Sequence, residues 1–229
     1  MNISIIIPTY NEAARIGETI RMVKKRASDE ISLQIIVADG GSSDETVKKA
    51  KQAGAEVIAD IKKRRSVQMN AGAQQACHEI LYFLHADTHP PPQFDRLIKQ
   101  SLKGQPEAGC FRLSFDLDNA LLNFYGWCTR FDVELFRFGD QSLFVRRSVF
   151  EKFNGFQDGY ILLEDQDMVK RIKKNHTFAL LPQRVVTSAR KYICNGPVRL
   201  QCIYAGIVML YKMGLAQQKL YYIYKKLVK

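Results

Sequence analysis

Apolar residues enter this chain as short, nearly unbroken runs separated by helical stripes. Ile3-Ser4-Ile5-Ile6-Ile7-Pro8 and Leu33-Gln34-Ile35-Ile36-Val37-Ala38 are rich in β-branched residues and lie about 30 residues apart, the length of one βαβ unit. Between them Ile16, Ile20 and Val23 share one helical face. Ser42-Ser43-Asp44-Glu45 reads as a capping box, with Ser42 as cap and Glu45 three residues on, and opens a second helix that Gly54 ends. A short strand at Glu56-Val57-Ile58 follows. Ser66 then starts an Ala-rich helix that runs through about Glu79. Ile80-Leu81-Tyr82-Phe83-Leu84, apolar throughout and bounded by polar residues, reads as a strand buried on both faces. Pro90-Pro91-Pro92 opens a helix carrying Phe94, Leu97, Ile98 and Leu102. Strands alternating with helices predict an α/β fold built on a doubly wound, mostly parallel sheet with right-handed crossovers.

From residue 108 the rhythm changes. Phe111, Leu113 and Phe115 alternate with polar positions as in a half-exposed strand, and an aromatic helix is expected from about Asn119 to Phe136. Glu164-Asp165-Gln166-Asp167 begins a helix with Met168, Val169 and Ile172 on its apolar side. Phe178–Leu181 and Arg184–Ser188 read as two short strands, and the remainder as helical with a break at Gly214. At 229 residues, one domain is expected.

Composition changes this picture little until charge is located. With 46% hydrophobic and 25% charged residues the chain is of ordinary globular type, without low-complexity stretches. Cys77, Cys110, Cys128, Cys194 and Cys202 are scattered without metal-ligand spacing. With no basic region and long apolar core near the start, a reducing, cytoplasmic compartment is expected. The apolar stretch Leu200–Tyr211 is too short to span a bilayer. The net charge is +11, yet after Asp167 there are 13 Lys or Arg and no Asp or Glu, which leaves 21 basic and 23 acidic residues before it. The positive excess therefore sits in the last quarter and points to an anionic partner. A lipid surface is favoured over nucleic acid, for which no reader motif accompanies the charge. Leu220, Ile223, Tyr224 and Leu227 with Lys219, Lys225, Lys226 and Lys229 have the character of a peripheral anchor, and equally of a helix packed on the core.

Candidate chemistry gathers at the strand ends. Pro8-Thr9-Tyr10-Asn11-Glu12 follows the first strand and Asp39-Gly40-Gly41-Ser42-Ser43-Asp44 the second. An acid such as Asp39 there suits a nucleobase or ribose, or simply ends the strand before a glycine turn. Arg64-Arg65-Ser66 couples two cations to a helix N-terminus, an anion site or a solvated loop. Asp87, at the end of the Ile80–Leu84 run, suits a divalent metal held against a diphosphate, or a turn cap. Among the acids that open the later helix, one could serve as a general base, or all could merely offset the helix dipole.

Read together, Ile5-Ile6-Ile7-Pro8-Thr9-Tyr10-Asn11-Glu12, Val37-Ala38-Asp39-Gly40-Gly41-Ser42-Ser43-Asp44, His85-Ala86-Asp87 and Glu164-Asp165 resemble the family 2 glycosyltransferases with a GT-A fold. Gln68-Met69-Asn70-Ala71-Gly72-Ala73, Gly139-Asp140-Gln141 and Thr187-Ser188-Ala189-Arg190 resemble one compact bacterial subgroup, the rSAM/selenodomain-associated transferase 2 proteins. The resemblance implies one GT-A domain over 1–229, with a nucleotide-sugar half at 1–115, an acceptor half at 116–190 and basic C-terminal helices at 191–229. It implies a nucleotide-diphosphate-sugar donor, with Pro8, Thr9, Glu12 and Asp39 around the nucleoside and Arg65 near the phosphates. Asp87 matches the last acid of the family's DxD motif, which implies Mg²⁺ or Mn²⁺ on the diphosphate. Asp165 matches the catalytic base of an inverting transfer to an acceptor hydroxyl, a lipid-linked one among the options, and Arg190 would neutralise the leaving diphosphate.

Two positions depart from the pattern: His85 stands where DxD has its first acid, and Arg64 where the subgroup usually has Gly, adding charge to the phosphate loop. The competing readings are a membrane-surface nucleotide-sugar-binding protein without catalysis and a nucleotidyltransferase. The expected location is cytoplasmic, peripheral on the inner membrane face in the membrane-associated case.

Overall fold

The first strand, β1 (Ile3–Thr9), is buried along its whole length because both of its faces are covered. Ile3, Ile5 and Ile7 pack on one side with Ile16, Ile20 and Val23 of α1 (Ile16–Arg26), whereas Ile6 packs on the other with Met69 and Ala73 of α3 (Arg65–Gln75). The same alternation divides β2 (Leu33–Asp39) and β4 (Ile80–Phe83): Ile35, Val37 and Tyr82 join the first core, Ile36, Leu81 and Phe83 the second. The computed structural model describes residues 1–133 and 139–228.

Among the described residues one sheet of eight strands is formed. It adds β3 (Glu56–Ile58), β5 (Thr88–His89), β6 (Ala108–Phe115), β7 (Phe144–Arg146) and β8 (Phe178–Thr187), in the order β3-β2-β1-β4-β7-β6-β8-β5. The strands from β3 to β4 are parallel, and so are β6 and β8, while β7 runs antiparallel between β4 and β6. The expected mostly parallel α/β sheet is therefore present. One face carries α1, α2 (Thr46–Gln52) and α4 (Phe94–Ser101), the other α3, α6 (Arg147–Lys152) and α7 (Glu164–Asn175). Helix α3 approaches β1 so closely that a Cβ on Gly72 would lie 2.4 Å from Ile6 Cγ2.

Several boundaries differ from the sequence pattern, each because a tertiary partner claims the local signal. Ser42 does not cap α2: its hydroxyl donates to Asp39 Oδ1 and accepts from the Asn11 amide, and the helix starts only at Thr46. Helix α3 stops at Gln75 rather than Glu79, because the Cys77 and His78 amides donate to Gln34 and Ser4 side chains. The two short strands expected at 178–188 are one strand, irregular where Phe111 and Arg112 of β6 face Leu181 and Arg184 and leave Pro182 and Gln183 unpaired. The aromatic helix is shorter than expected: α5 (Ala120–Cys128) starts at the predicted Asn119, which accepts from the Leu121 and Leu122 amides. Residues 134–136 of that expectation, and Lys229, lie outside the described residues.

After β8 the chain continues as α8 (Arg190–Asn195), α9 (Pro197–Lys212) and α10 (Gln217–Leu227), broken at Gly196 (φ +79°) and at the expected Gly214 (φ +84°). Leu200, Ile207, Val208 and Leu220 are buried, so α9 and α10 fold back onto the body of the protein. Among the described residues no helix is long and apolar enough to cross a membrane.

Candidate functional site

The carboxyl ends of β1 and β4 lie side by side, and the loops that leave them build a cleft. The His85-Ala86-Asp87 turn is held from both sides. Thr19 Oγ1 of α1 donates to the Ala86 carbonyl (2.6 Å), and the Ser188 amide, just past β8, donates to the Asp87 carbonyl (3.1 Å). These bonds bring the first and last motifs of the chain together. Arg190 Nη1 donates to Glu12 Oε2 (3.0 Å), Nη2 bonds the other Glu12 oxygen, and Nη2 also sits 3.2 Å from Asp87 Oδ2. The cleft, about 200 Å³, is lined by Pro8, Thr9, Glu12, Arg65, Asp87 and Arg190, all expected from the sequence, and by the half-exposed ring of Tyr10, over which Lys63 Nζ lies 3.3 Å from the centroid.

Asp39 is the exception. It does not line the cleft, and it is 1% exposed. Thr9 Oγ1, the Ser42 amide and the Ser42 hydroxyl all donate to its carboxylate, so it locks the β1 and β2 loops instead of facing open space. Gln68, the first residue of the Gln68–Ala73 motif and given no role by the sequence, does related work from α3: its Nε2 donates to the carbonyls of Thr9 (2.7 Å) and Ala38 (2.8 Å). Arg64 does not crowd the phosphate loop as expected, because its guanidinium turns to the Asp158 carbonyl and leaves Arg65 alone of the pair in the cleft.

Asp165 stands at the start of α7, beside a larger cavity of about 400 Å³. The two cavities join, for Arg65, Phe115, Asp140, Lys191, Tyr192 and Tyr204 line both. Arg65 Nε lies 3.4 Å from Glu164 Oε1, and its Nη1 donates to His85 Nε2 at 3.4 Å. His85 Nδ1 in turn donates to Asp140 Oδ1 at 2.8 Å, so a ring protonated at Nδ1 satisfies both contacts. Burial alone would disfavour the imidazolium; the Asp140 hydrogen bond and charge outweigh it and raise the His85 pKa. Burial first, then the Glu164 charge, pushes the Asp165 carboxyl up to about 7, against the opposing pull of His85 and Arg65. A carboxylate tuned to neutrality beside an open cavity is equipped to take a proton.

Asp87 is the one carboxylate of its triplet, and among the described residues no three His, Cys, Asp or Glu side chains surround a common point. This donor set fits a divalent ion that keeps waters and arrives with a diphosphate, since such sites need only one or two carboxylates. His85 offers no free nitrogen for it while Asp140 and Arg65 hold both.

Comparison with known proteins identifies the family and the fold. The sequence profile of Glycosyl transferase family 2 matches residues 4–153. An undecaprenyl-phosphate 4-deoxy-4-formamido-L-arabinose transferase of Pseudomonas aeruginosa is 29% identical over 119 residues, which cover 48% of this chain and 35% of that protein. The chain thus spans about a third of that relative's length. Among solved structures, the Pyrobaculum calidifontis mannosyltransferase PcManGT in complex with GDP-Man and Mn²⁺ superposes with a TM-score of 0.68 at 18% identity, over 97% of this chain and 69% of that one. Glucosyl-3-phosphoglycerate synthase of Mycobacterium tuberculosis, with Mn²⁺, UDP and glucosyl-3-phosphoglycerate, gives 0.65 at 14% identity, over 93% and 80%. These likenesses establish a shared GT-A fold.

Proposed function

Since the chain belongs to glycosyl transferase family 2, we propose that it moves a sugar from a nucleotide-diphosphate-sugar to an acceptor hydroxyl with inversion at the anomeric carbon. The observation that carries this reading is the buried, near-neutral Asp165 carboxylate at the junction of two cavities, one rich in charge and one largely apolar. Asp165 takes the acceptor's hydroxyl proton as its oxygen bonds the anomeric carbon. The bond from that carbon to the diphosphate breaks on the opposite side, and its electron pair leaves with the nucleoside diphosphate. Arg65 and Arg190 supply positive charge as negative charge grows on the departing phosphates.

The nucleoside would rest against Pro8, Thr9 and Tyr10, on loops that Asp39 and Gln68 hold rigid. A divalent metal, Mg²⁺ or Mn²⁺, would be held by Asp87 with the diphosphate and would add charge to the leaving group. Residues 1–115 would then form the donor half, into which Arg190 reaches from the end of the 116–190 acceptor half, and the helices α8 to α10 that follow would close the acceptor side.

Incubation with labelled UDP- and GDP-sugars in the presence of Mn²⁺ tests the proposal. Transfer or slow hydrolysis should release nucleoside diphosphate, and Asp165→Asn should abolish it while donor binding survives. Pyrophosphate release from a nucleoside triphosphate would identify a nucleotidyltransferase instead. Donor binding with full activity in Asp165→Asn would remove Asp165 as the base, and binding without any turnover would favour a non-catalytic module.

Peripheral membrane attachment is favoured by one observation. Ile193, Val198, Met209, Met213 and Tyr222 are exposed on α8 to α10, within the acid-free basic segment. Flotation with anionic vesicles should carry the protein upward at low salt. Failure to float, with or without residues 215–229, would discard the idea.

A further inference from the structure

The larger cavity is walled in a way the transfer chemistry alone does not require. Tyr125 of α5, Tyr192 of α8, Tyr204 and Ile207 of α9 and Tyr224 of α10 face it, together with Leu162 from the loop before α7. Its charged residues gather at one end: Arg65, Asp140 and Lys191 are shared with the smaller cleft, and Glu164, next to Asp165, pairs with Arg65. Within this wall the side-chain nitrogen of Gln166 is buried without a hydrogen-bond partner among the described residues, one position along the chain from Asp165. A buried amide donor left unpaired is costly, and a turn of the Gln166 side chain toward the cavity would give it a ligand oxygen as partner. Phe124, which also lines the cavity, is exposed, and its ring stacks on exposed Trp127 at 6.1 Å, so the apolar surface continues onto Trp127.

Resting on the transferase reading above, we propose that the acceptor is an alcohol with an extended apolar body. The hydrocarbon occupies the tyrosine-walled cavity, and the hydroxyl oxygen accepts from Gln166 while its proton faces Asp165. The volume, about 400 Å³, suits a drug-sized apolar group. A sugar or other polyol could bond Thr129, Gln201 and the tyrosine hydroxyls, but its hydroxyls against Leu113, Leu162, Ile207 and Val208 would lack partners, a cost that a hydrocarbon does not carry.

Binding without any donor tests the acceptor class separately from the reaction. The wild-type protein is titrated with primary alcohols from butanol to decanol by calorimetry, with the fluorescence of its single tryptophan as a second readout. One-to-one binding should tighten about fourfold per added methylene, the ratio expected when each is buried. Ile207→Glu should abolish that dependence. Gln166→Leu, which keeps the cavity apolar, should weaken octanol binding roughly fivefold to tenfold and leave the chain-length slope unchanged, as loss of one hydrogen bond would. Affinity indifferent to chain length, or saturable binding of glucose and glycerol in place of the alcohols, would overturn the proposal. Titrating UDP and GDP with Mn²⁺ into the same preparation separates the two readings. Nucleotide binding with a flat alcohol series removes only the acceptor class, while alcohol binding without nucleotide binding removes the transferase reading.

Discussion

The carboxylate of Asp165 lies in the space that a side chain on Gly139 would need. A Cβ at Gly139 would come within 2.1 Å of Asp165 Oδ2 and 2.9 Å of His85 Nε2. The glycine of Gly139-Asp140-Gln141 is thus needed for close approach, not for an unusual backbone angle, and Asp165 is packed against bare main chain. Gly139→Ala should push the carboxylate away from the reacting atoms. Displacement of about 1 Å is enough to cost roughly 100-fold in kcat. Nucleoside diphosphate affinity, measured alongside, should stay within about twofold, and a variant with unchanged kcat would show that the contact does not position the base.

A base of this kind sets the pH profile. With the Asp165 carboxyl at about 7, only its ionised form accepts a proton, so kcat/KM should rise with pH through about 7 and then level off. Glu164 is the second largest cause of the upward shift, after burial, and Asp140 pushes the same way while His85 and Arg65 oppose it. Glu164→Gln removes one neighbouring negative charge and should move the rising limb to lower pH. A limb that stays in place would mean that another group controls the rate.

The same shift destabilises the fold at neutral pH. Below the ordinary aspartate range both folded and unfolded chains are protonated at Asp165 and nothing is lost. As pH rises from the unfolded value of 3.8 toward about 7, the unfolded chain ionises first and stability falls. The full difference amounts to roughly 4 kcal/mol. Asp165→Asn, inactive by the argument above, should therefore melt at least about 2 °C higher than the parent at pH 8, with the gap closing toward pH 4. An equal or lower melting temperature at pH 8 would contradict the buried, destabilised carboxylate.

How far these features could be read from the sequence depends on how local their causes are. The apolar runs at Ile3, Leu33 and Ile80 announced β1, β2 and β4 because strands covered on both faces need no partner-specific signal. Strand β7 escaped, since three residues inserted antiparallel between β4 and β6 are defined by long-range pairing alone. Ser42 misled because a locally sound cap has other partners: its hydroxyl donates back to Asp39 and accepts from the Asn11 amide of the loop after β1. Most of the cleft was legible because Glu12, Asp87 and Arg190 sit within short motifs at strand ends, even though Glu12 and Arg190 are 178 residues apart. The aromatic helix with Phe124, Tyr125 and Trp127 could be read as an acceptor-side element or as core, but Tyr192, Tyr204, Tyr224 and the unpaired Gln166 could not, because they meet at one cavity only once α8, α9 and α10 fold back.

Arg190 holds Glu12 and Asp87 together, which gives the cleft a testable order of events. In the free protein one guanidinium serves as counter-ion to two largely buried carboxylates, the same two that a cation entering this cleft would meet. Arg190 and the metal should therefore compete for Asp87 until a diphosphate arrives and gives both cations an anion to share. Arg190→Ala should tighten Mn²⁺ binding in the absence of nucleotide by about tenfold, equivalent to roughly 1.4 kcal/mol, because it leaves the carboxylates without their internal partner. With Mn²⁺ saturating, the same variant should bind nucleoside diphosphate more weakly, since a phosphate contact is lost. Asp87→Asn should bind nucleoside diphosphate equally with Mn²⁺ or with chelator present. Mn²⁺ titrations followed by calorimetry, with and without UDP or GDP, separate the outcomes: unchanged metal affinity in Arg190→Ala would mean that the arginine is a fixed brace for the loops and not a stand-in for the metal.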